Sequence, residues 1–256
     1  MFMFDSHIHT KFSTDSTMNI EDAIKRAEEL NIGLVITEHM DINFPIEGSF
    51  IFDPKKYFNE YSKFRGDKLL LGIELGMRDD CIEENKAIVS ENPFDYVIGS
   101  LHFADNIDVF QEEFYAGKTK KEAYEHYLKF MADCLKTHTF IDSLGHIDYI
   151  SRYAQYDDKE IYYEDFTDHI DTVLKTAVSN DKALEINTRR LNDKIAVKNL
   201  IKIYNRFYEL GGRMVTTGSD SHKTSVIGNN LNIAKEIAAI CNLKIVYFKN
   251  RKPEYV

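Results

Sequence analysis

Tryptophan is missing altogether from this chain of 256 residues, and only four prolines and twelve glycines are present. Such scarcity excludes collagen-like, proline-rich and low-complexity organisation. Three cysteines, Cys81, Cys134 and Cys241, are odd in number and widely spaced, which excludes a disulfide framework or a zinc knuckle and reads as reduced thiols of a cytoplasmic protein. Positive charge is in deficit, 32 Lys and Arg against 42 Asp and Glu for a net charge of −10. That balance repels a phosphate backbone and disfavours a nucleic-acid partner. No stretch approaches the ~18 uninterrupted apolar residues of a membrane span. The start, Met1-Phe2-Met3-Phe4-Asp5, lacks the basic region and long apolar run of a signal peptide, so a soluble protein without membrane contact is expected. What is present, 43% hydrophobic and 29% charged residues, suffices for one large core, and a single domain over 1–256 fits a length at which cores stop growing.

Short β-type runs alternate with longer helical periodicity, the pattern of parallel strands joined by crossover helices. Seven strands are expected: Phe2 to His7, Gly33 to Thr37, Leu69 to Ile73, Tyr96 to Ser100, Phe140 to Gly145, Ala183 to Asn187 and Met214 to Gly218. All are nearly continuous in hydrophobicity, as strands covered on both faces are. Between them, Asn19 stands as an N-cap before Glu21 and Asp22. Thr119 with Glu122 forms a capping box ahead of the stripe Tyr124, Leu128, Met131 and Leu135. A third helical pattern covers Ile195 to Leu210 and ends at Gly211-Gly212. A last strand, Ile245 to Phe248, either extends or plugs the structure. Seven β/α steps without a Gly-rich phosphate loop predict a distorted (β/α)7, TIM-like barrel in the α/β class, whose site lies at the C-terminal ends of the strands.

The polar residues at those ends form a consistent set. They include Asp5-Ser6-His7-Ile8-His9, Thr37-Glu38-His39, Ile73-Glu74, Ser100-Leu101-His102, Gly145-His146-Ile147-Asp148, Glu185-Ile186-Asn187 and Ser219-Asp220-Ser221-His222. Six of the nine histidines fall there, whereas a structural role for a histidine does not favour successive strand mouths. In His7-x-His9 and Asp220-x-His222 the two-residue period of extended backbone turns both side chains to one side. Imidazole and carboxylate together suit zinc, manganese or iron, and the lack of cysteine argues against a closed structural zinc site. An open, catalytic metal cluster follows. His126, off the apolar stripe of its helix, His138 in a connection and His169 on a helix face receive no chemical role.

Taken in order, these motifs resemble those of the PHP (polymerase and histidinol phosphatase) superfamily from residue 5 to 222. The resemblance implies a distorted (β/α)7 barrel, up to three divalent ions at its mouth, and phosphoester hydrolysis. Gly-Ser-Leu-His-Phe at 99–103 and Gly-His-Ile-Asp-x-x-x-Arg at 145–152 resemble the histidinol-phosphate phosphatase branch most, which implies hydrolysis of L-histidinol phosphate in histidine biosynthesis. Position by position, the resemblance assigns His7, His9, Glu74 and Asp220 to one ion, with Glu74 bridging to a second held by His102 and His146. It assigns His39 and His222 to a third. Asp15 stands where the family pattern has another histidine, and a carboxylate there favours a harder ion such as manganese or iron.

Phosphate monoesters hydrolyse so slowly that rate factors approach ~10²¹, while one general base supplies ~10²–10⁴. Metal ions must carry much of the rest, and the hypothesis gives catalytic roles to Glu74, Asp220 and His222 around the ions. Arg152, Arg189, Arg190 and Asn187 are placed to meet a small phosphate-ester substrate, a guanidinium matching phosphate in two-pronged fashion. Glu38, Glu113 or Asp105 would supply an acidic wall for its ammonium. Rival readings are a PHP phosphoesterase for a sugar phosphate, nucleotide or phosphotyrosine, a hydrolase of C–N bonds, and a non-catalytic or proofreading module.

Overall fold

The computed structural model describes residues 2–256; Met1, at the head of the N-terminal stretch read above, lies outside them. Seven strands run parallel in the order of the chain: β1 (Phe4–Ile8), β2 (Gly33–Met40), β3 (Leu69–Gly76), β4 (Tyr96–Ser100), β7 (Ser143–Leu144), β8 (Ala183–Asn187) and β9 (Met214–Gly218). Almost every residue in them is buried, as the continuous apolar runs require. Crossovers are helical, chiefly α1 (Ile20–Leu30), α2 (Pro54–Tyr61), α3 (Ile82–Glu91), α5 (Lys120–Thr137), α7 (Thr167–Ser179) and α8 (Lys194–Glu209), with short α4 (Glu112–Tyr115) and α6 (Ile150–Tyr153) between. The capping box at Thr119 and Glu122 is formed and its apolar stripe is buried. Asn19 does cap α1 by position, but its side chain makes no capping bond, and Glu21 and Asp22 in the first turn meet the helix dipole instead.

Boundaries differ where pairing overrides local pattern. β2 and β3 run on to Met40 and Gly76 because their register continues through His39 opposite Glu74. The fifth strand of the barrel is cut from Phe140–Gly145 to Ser143–Leu144, since Ile141 N–H still belongs to the turn that leaves α5 at His138. After β4 the chain makes a small hairpin, β5 (Phe103–Ala104) with β6 (Ile107–Asp108), around Asp105 and Asn106, both left-handed. Strands of two residues fall below any sequence period, and this hairpin was not expected.

The sheet curls until β1 meets the end of β9. Asp220 N–H donates to His7 O at 2.7 Å, His9 N–H to Ser221 O at 2.8 Å, and the Thr217 hydroxyl to Phe4 O at 2.8 Å. At the opposite end, following α9 (Leu231–Ile240), β10 (Lys244–Lys249) pairs with the start of β9 and folds back as β11 (Lys252–Tyr255). The last strand therefore both extends and plugs. Val246 and Phe248 pack inside the barrel against Phe4, Val35, Leu70, Tyr96, Ile98 and Ala183. Asp95 fastens the plug, accepting from the Asn250 N–H at 2.9 Å and from Arg65 at 2.7 and 2.8 Å. With that end sealed, the mouth at the C-terminal strand ends is the open one. Among the described residues no helix is long and apolar enough to cross a membrane.

Phe248→Ala should cost about 3–5 kcal/mol, read as a lowered midpoint in urea unfolding followed by circular dichroism. An unchanged midpoint would show that the inner core does not depend on the plug.

Candidate metal centre

Strand ends bring all six expected imidazoles to one place. A register shift between Asp5 and Ile8, of the kind that re-aims side chains beside active sites, contains His7 and precedes His9, and the two rings face the same side. His39 and Glu74 come in as register partners on β2 and β3. His102 and His146 follow β4 and β7, and Asp220 and His222 follow β9.

Glu74 is wholly buried and central. Its Oε1 lies 3.2 Å from His7 Nε2, 3.1 Å from His146 Nε2 and 3.4 Å from His102 Nε2, and its Oε2 lies 2.8 Å from His39 Nδ1 and 3.5 Å from His9 Nε2. Asp220 Oδ1 faces His7 and His9 at 3.9 and 3.6 Å. His222 Nε2 stands 3.1 Å from Asp15 and 3.4 Å from His39 Nε2, and Asp15 is 3.8 Å from His39. The ligand atoms fall into overlapping groups: His7, His9 and Asp220; His7, Glu74 and His146; His9, His39 and His222; and His39, Asp41 and His102.

Outer partners aim these rings. His7 Nδ1 donates to Glu185 at 2.7 Å, His102 Nδ1 to Asp41 at 2.8 Å, and His9 Nδ1 meets the Ser13 hydroxyl at 3.0 Å. Each Nε2 is thereby turned inward. Space for the two carboxylates comes from glycines on neighbouring strands: a Cβ on Gly76 would overlap Asp41, and one on Gly218 would overlap Glu185 and His7. Ser13 is itself held by Glu38, which accepts from its hydroxyl at 2.6 Å and from Thr10 N–H at 3.0 Å. Asp41 and Ser13 are not among the candidates that the sequence offers, and Glu185 is there without a role. Glu185 stands at a strand end and was visible in the motif list, but Asp41 and Ser13 carry no pattern of their own.

Electrostatics follow this crowding. Burial opposes charge on His7, yet Glu74, Glu185 and Asp220 hold its pKa well above the ordinary value. His39 and His102 are raised too, against their burial, by Glu74 and by Asp41 with Glu74 respectively. Burial, with His39 and His222 alongside, drives His9 well below. Despite desolvation, Glu74 stays far down the carboxylate range beside His7, His39 and His102, and Asp220 does so beside Arg152 and His7. Against the cost of burial, His222 and His39 draw Asp15 down to about 2. The protein thus demands positive charge here. The Nε2 atoms of His7 and His9 and the Oε2 of Glu74 are buried without a hydrogen-bond partner among the described residues. Donors around a tetrahedral ion at ~2.0–2.2 Å sit roughly 3–3.5 Å apart, close to the spacings above, so the residues present fit divalent cations.

Over the centre opens a cavity of about 490 Å³. Arg152, with a side chain 6% exposed, reaches Asp220 Oδ2 at 2.6 Å, and the more open Arg189 stands 3.6 Å from the same oxygen. Both line the cavity, facing a wall of Phe44, Phe50, Phe103, Phe110, Tyr149 and Tyr153. Two expected substrate residues lie elsewhere, neither being among the described residues that line the cavity. Arg190 is taken up by Asp148, at 2.9 Å, and by Glu160. Asn187 spends its amide on Glu185 Oε2 at 3.2 Å and its oxygen on Arg189 N–H at 3.1 Å. The expected acidic wall is also displaced, for Glu38 is buried beneath Ser13, Glu113 is exposed on α4, and Asp105 pairs with His126 at 3.2 Å beside another cavity. His138 is buried against Asn85.

Comparison with known proteins agrees with this geometry. The family model described as PHP domain matches residues 5–189. The match stops short of Asp220 and His222, which the seam between β1 and β9 returns to the same cluster. A probable histidinol-phosphatase of Clostridium acetobutylicum is 52% identical over 99% of both chains. The histidinol-phosphatase of Lactococcus lactis subsp. lactis is 33% identical over 87% of this chain and 85% of its own. A crystal structure of the histidinol phosphate phosphatase from that organism, complexed with zinc, L-histidinol and phosphate, matches with a TM-score of 0.93 at 29% identity, covering 98% of each chain. A barrel with these strand-end motifs in this order, matched by the family model over most of its length, belongs to the PHP domain family.

Proposed function

We infer that this chain is a metal-dependent phosphomonoester hydrolase that converts L-histidinol phosphate to L-histidinol and phosphate, a step of histidine biosynthesis. The observation that carries the reading is the near-complete structural match to an enzyme holding zinc, L-histidinol and phosphate, together with a histidine-carboxylate centre opening onto a cavity that two arginines line. In this reading His7, His9, Glu74 and Asp220 hold one ion, Glu74 with His102 and His146 a second, and His39, His222 and Asp15 a third. Bound there, divalent zinc, manganese or iron supplies Lewis acidity toward phosphoryl oxygens and a nucleophile from water at neutral pH.

The chain's own residues do the rest. Glu74 joins the first two positions because it is the carboxylate within 3.5 Å of His7, His9, His102 and His146 alike. Arg152 is fixed by Asp220 and lines the cavity, so its guanidinium is the nearer fixed cation for phosphoryl oxygens. Arg189 adds a second cation at the rim. Asp41 and Glu185 keep Nδ1 of His102 and His7 protonated, which leaves Nε2 as the donor lone pair. Glu74 sits where the C–N hydrolase reading would put a lysine or carboxylated lysine between the ions.

Glu74→Gln should abolish phosphate release from L-histidinol phosphate and lower the metal content found by elemental analysis; a variant keeping both would sink the reading. Asp41→Asn should weaken metal binding about 10–100-fold, measured by competition with a chromophoric chelator, with turnover recovering as metal is added. Arg189→Ala should raise KM for the ester about tenfold, the worth of a charged hydrogen bond. Arg190→Ala should instead lower the melting temperature and leave KM near the wild-type value. The opposite pattern in steady-state assays would exchange their roles.

A further inference from the structure

Four carboxylates line the cavity: Asp15, Asp41, Asp108 and Asp220. Three are already matched with cationic or proton-bearing partners. Asp15 faces His222 at 3.1 Å, Asp41 faces His102 at 2.8 Å, and Asp220 faces Arg152 at 2.6 Å. Asp108 has no such partner within 4.0 Å among the described residues, its one hydrogen bond there being from the Phe110 N–H at 2.8 Å. It is half-buried at the end of β6, and its neighbours on the cavity wall are aromatic, including Phe103, Phe110, Tyr149 and Tyr153. A carboxylate in such surroundings is poorly solvated and is stabilised by whatever cation the cavity receives.

Its position is tied to the metal centre. Val109 N–H donates to His102 O at 2.9 Å, so the residue next to Asp108 hangs from the backbone of a proposed ligand. Resting on the reaction assigned above, the substrate's only fixed cation is an ammonium on the carbon next to the CH₂ that bears the ester oxygen. Phosphate held at the centre therefore carries that ammonium a short way out along the wall, with the imidazole ring beyond it. We propose that Asp108 is the specificity-determining residue that binds the substrate's ammonium, while Phe110 and Tyr153, an edge-on pair with centroids 4.9 Å apart, cover the imidazole. The selected class is phosphate monoesters of vicinal amino alcohols, and sugar phosphates, lacking the amine, gain nothing from this residue.

Asp108→Asn tests this without disturbing the turn, because the amide oxygen still accepts from Phe110 N–H. Two esters are compared on the metal-loaded protein: L-histidinol phosphate, and imidazolylpropyl phosphate, which differs by lacking the amine. For the variant, KM for L-histidinol phosphate should rise about 10–100-fold, as loss of a charge-assisted contact predicts. Its kcat should stay within about threefold, since the contact is made equally in ground and transition states. KM for the amine-free ester should move less than about threefold, and inhibition by inorganic phosphate should be that of the wild type. Equal loss on both esters, or loss on neither, overturns the proposal. Failure of the wild-type protein to release phosphate from either ester overturns the assigned reaction, and this inference with it.

Discussion

One buried carboxylate organises the molecule. Glu74 has imidazole nitrogens of five histidines within 3.5 Å and is wholly buried. A charge so placed is tolerated only if cations or protons surround it. Three of the surrounding histidines, His7, His39 and His102, answer that need with pKa values raised above the ordinary one, and divalent ions would answer it with fewer groups. The demand fits a barrel sealed below by Val246 and Phe248 of β10 and stitched at the top between β1 and β9. The histidines come from five different strands, and only a closed, plugged cylinder holds those strand ends at fixed separations.

Rigidity at the rim has a specific origin. The bond from Asp220 N–H to His7 O joins the first strand to the last of the seven, and both residues belong to the cluster. Closing the fold and assembling the site are in that sense one event. Glycines take part by omission: Gly76 and Gly218 leave room for Asp41 and Glu185 behind the rings they orient.

The inner residues of the site were legible because they obey a rule of position. Apolar runs located the strands, the barrel rule named their C-terminal ends, and the histidines and acids found there meet in space. Strands β4, β8 and β9 matched residue for residue; β8 and β9 are bounded by polar residues on both sides, and β4 follows Asp95 and ends in Gly99-Ser100. The supports were not legible, since their meaning lies in partners distant along the chain. Asp41 resembles any acid after a strand until Gly76, on the next strand, makes a place for it. Arg189 and Arg190 are adjacent and alike in sequence, and only the location of Asp148 and Glu160 turns the second away from the cavity. The β5–β6 hairpin carried no period at all, and with it the position of Asp108 was hidden.

That hairpin is joined to the barrel differently from everything else around the mouth. It lies outside the nine-stranded sheet and has its own two-residue pairing. Its exposed side chains can therefore change over evolutionary time while the bond from Val109 N–H to His102 O keeps its base in place beside the cluster. A lineage could exchange one phosphorylated metabolite for another by rewriting a few codons there, while the metal-facing side chains below stay as they are.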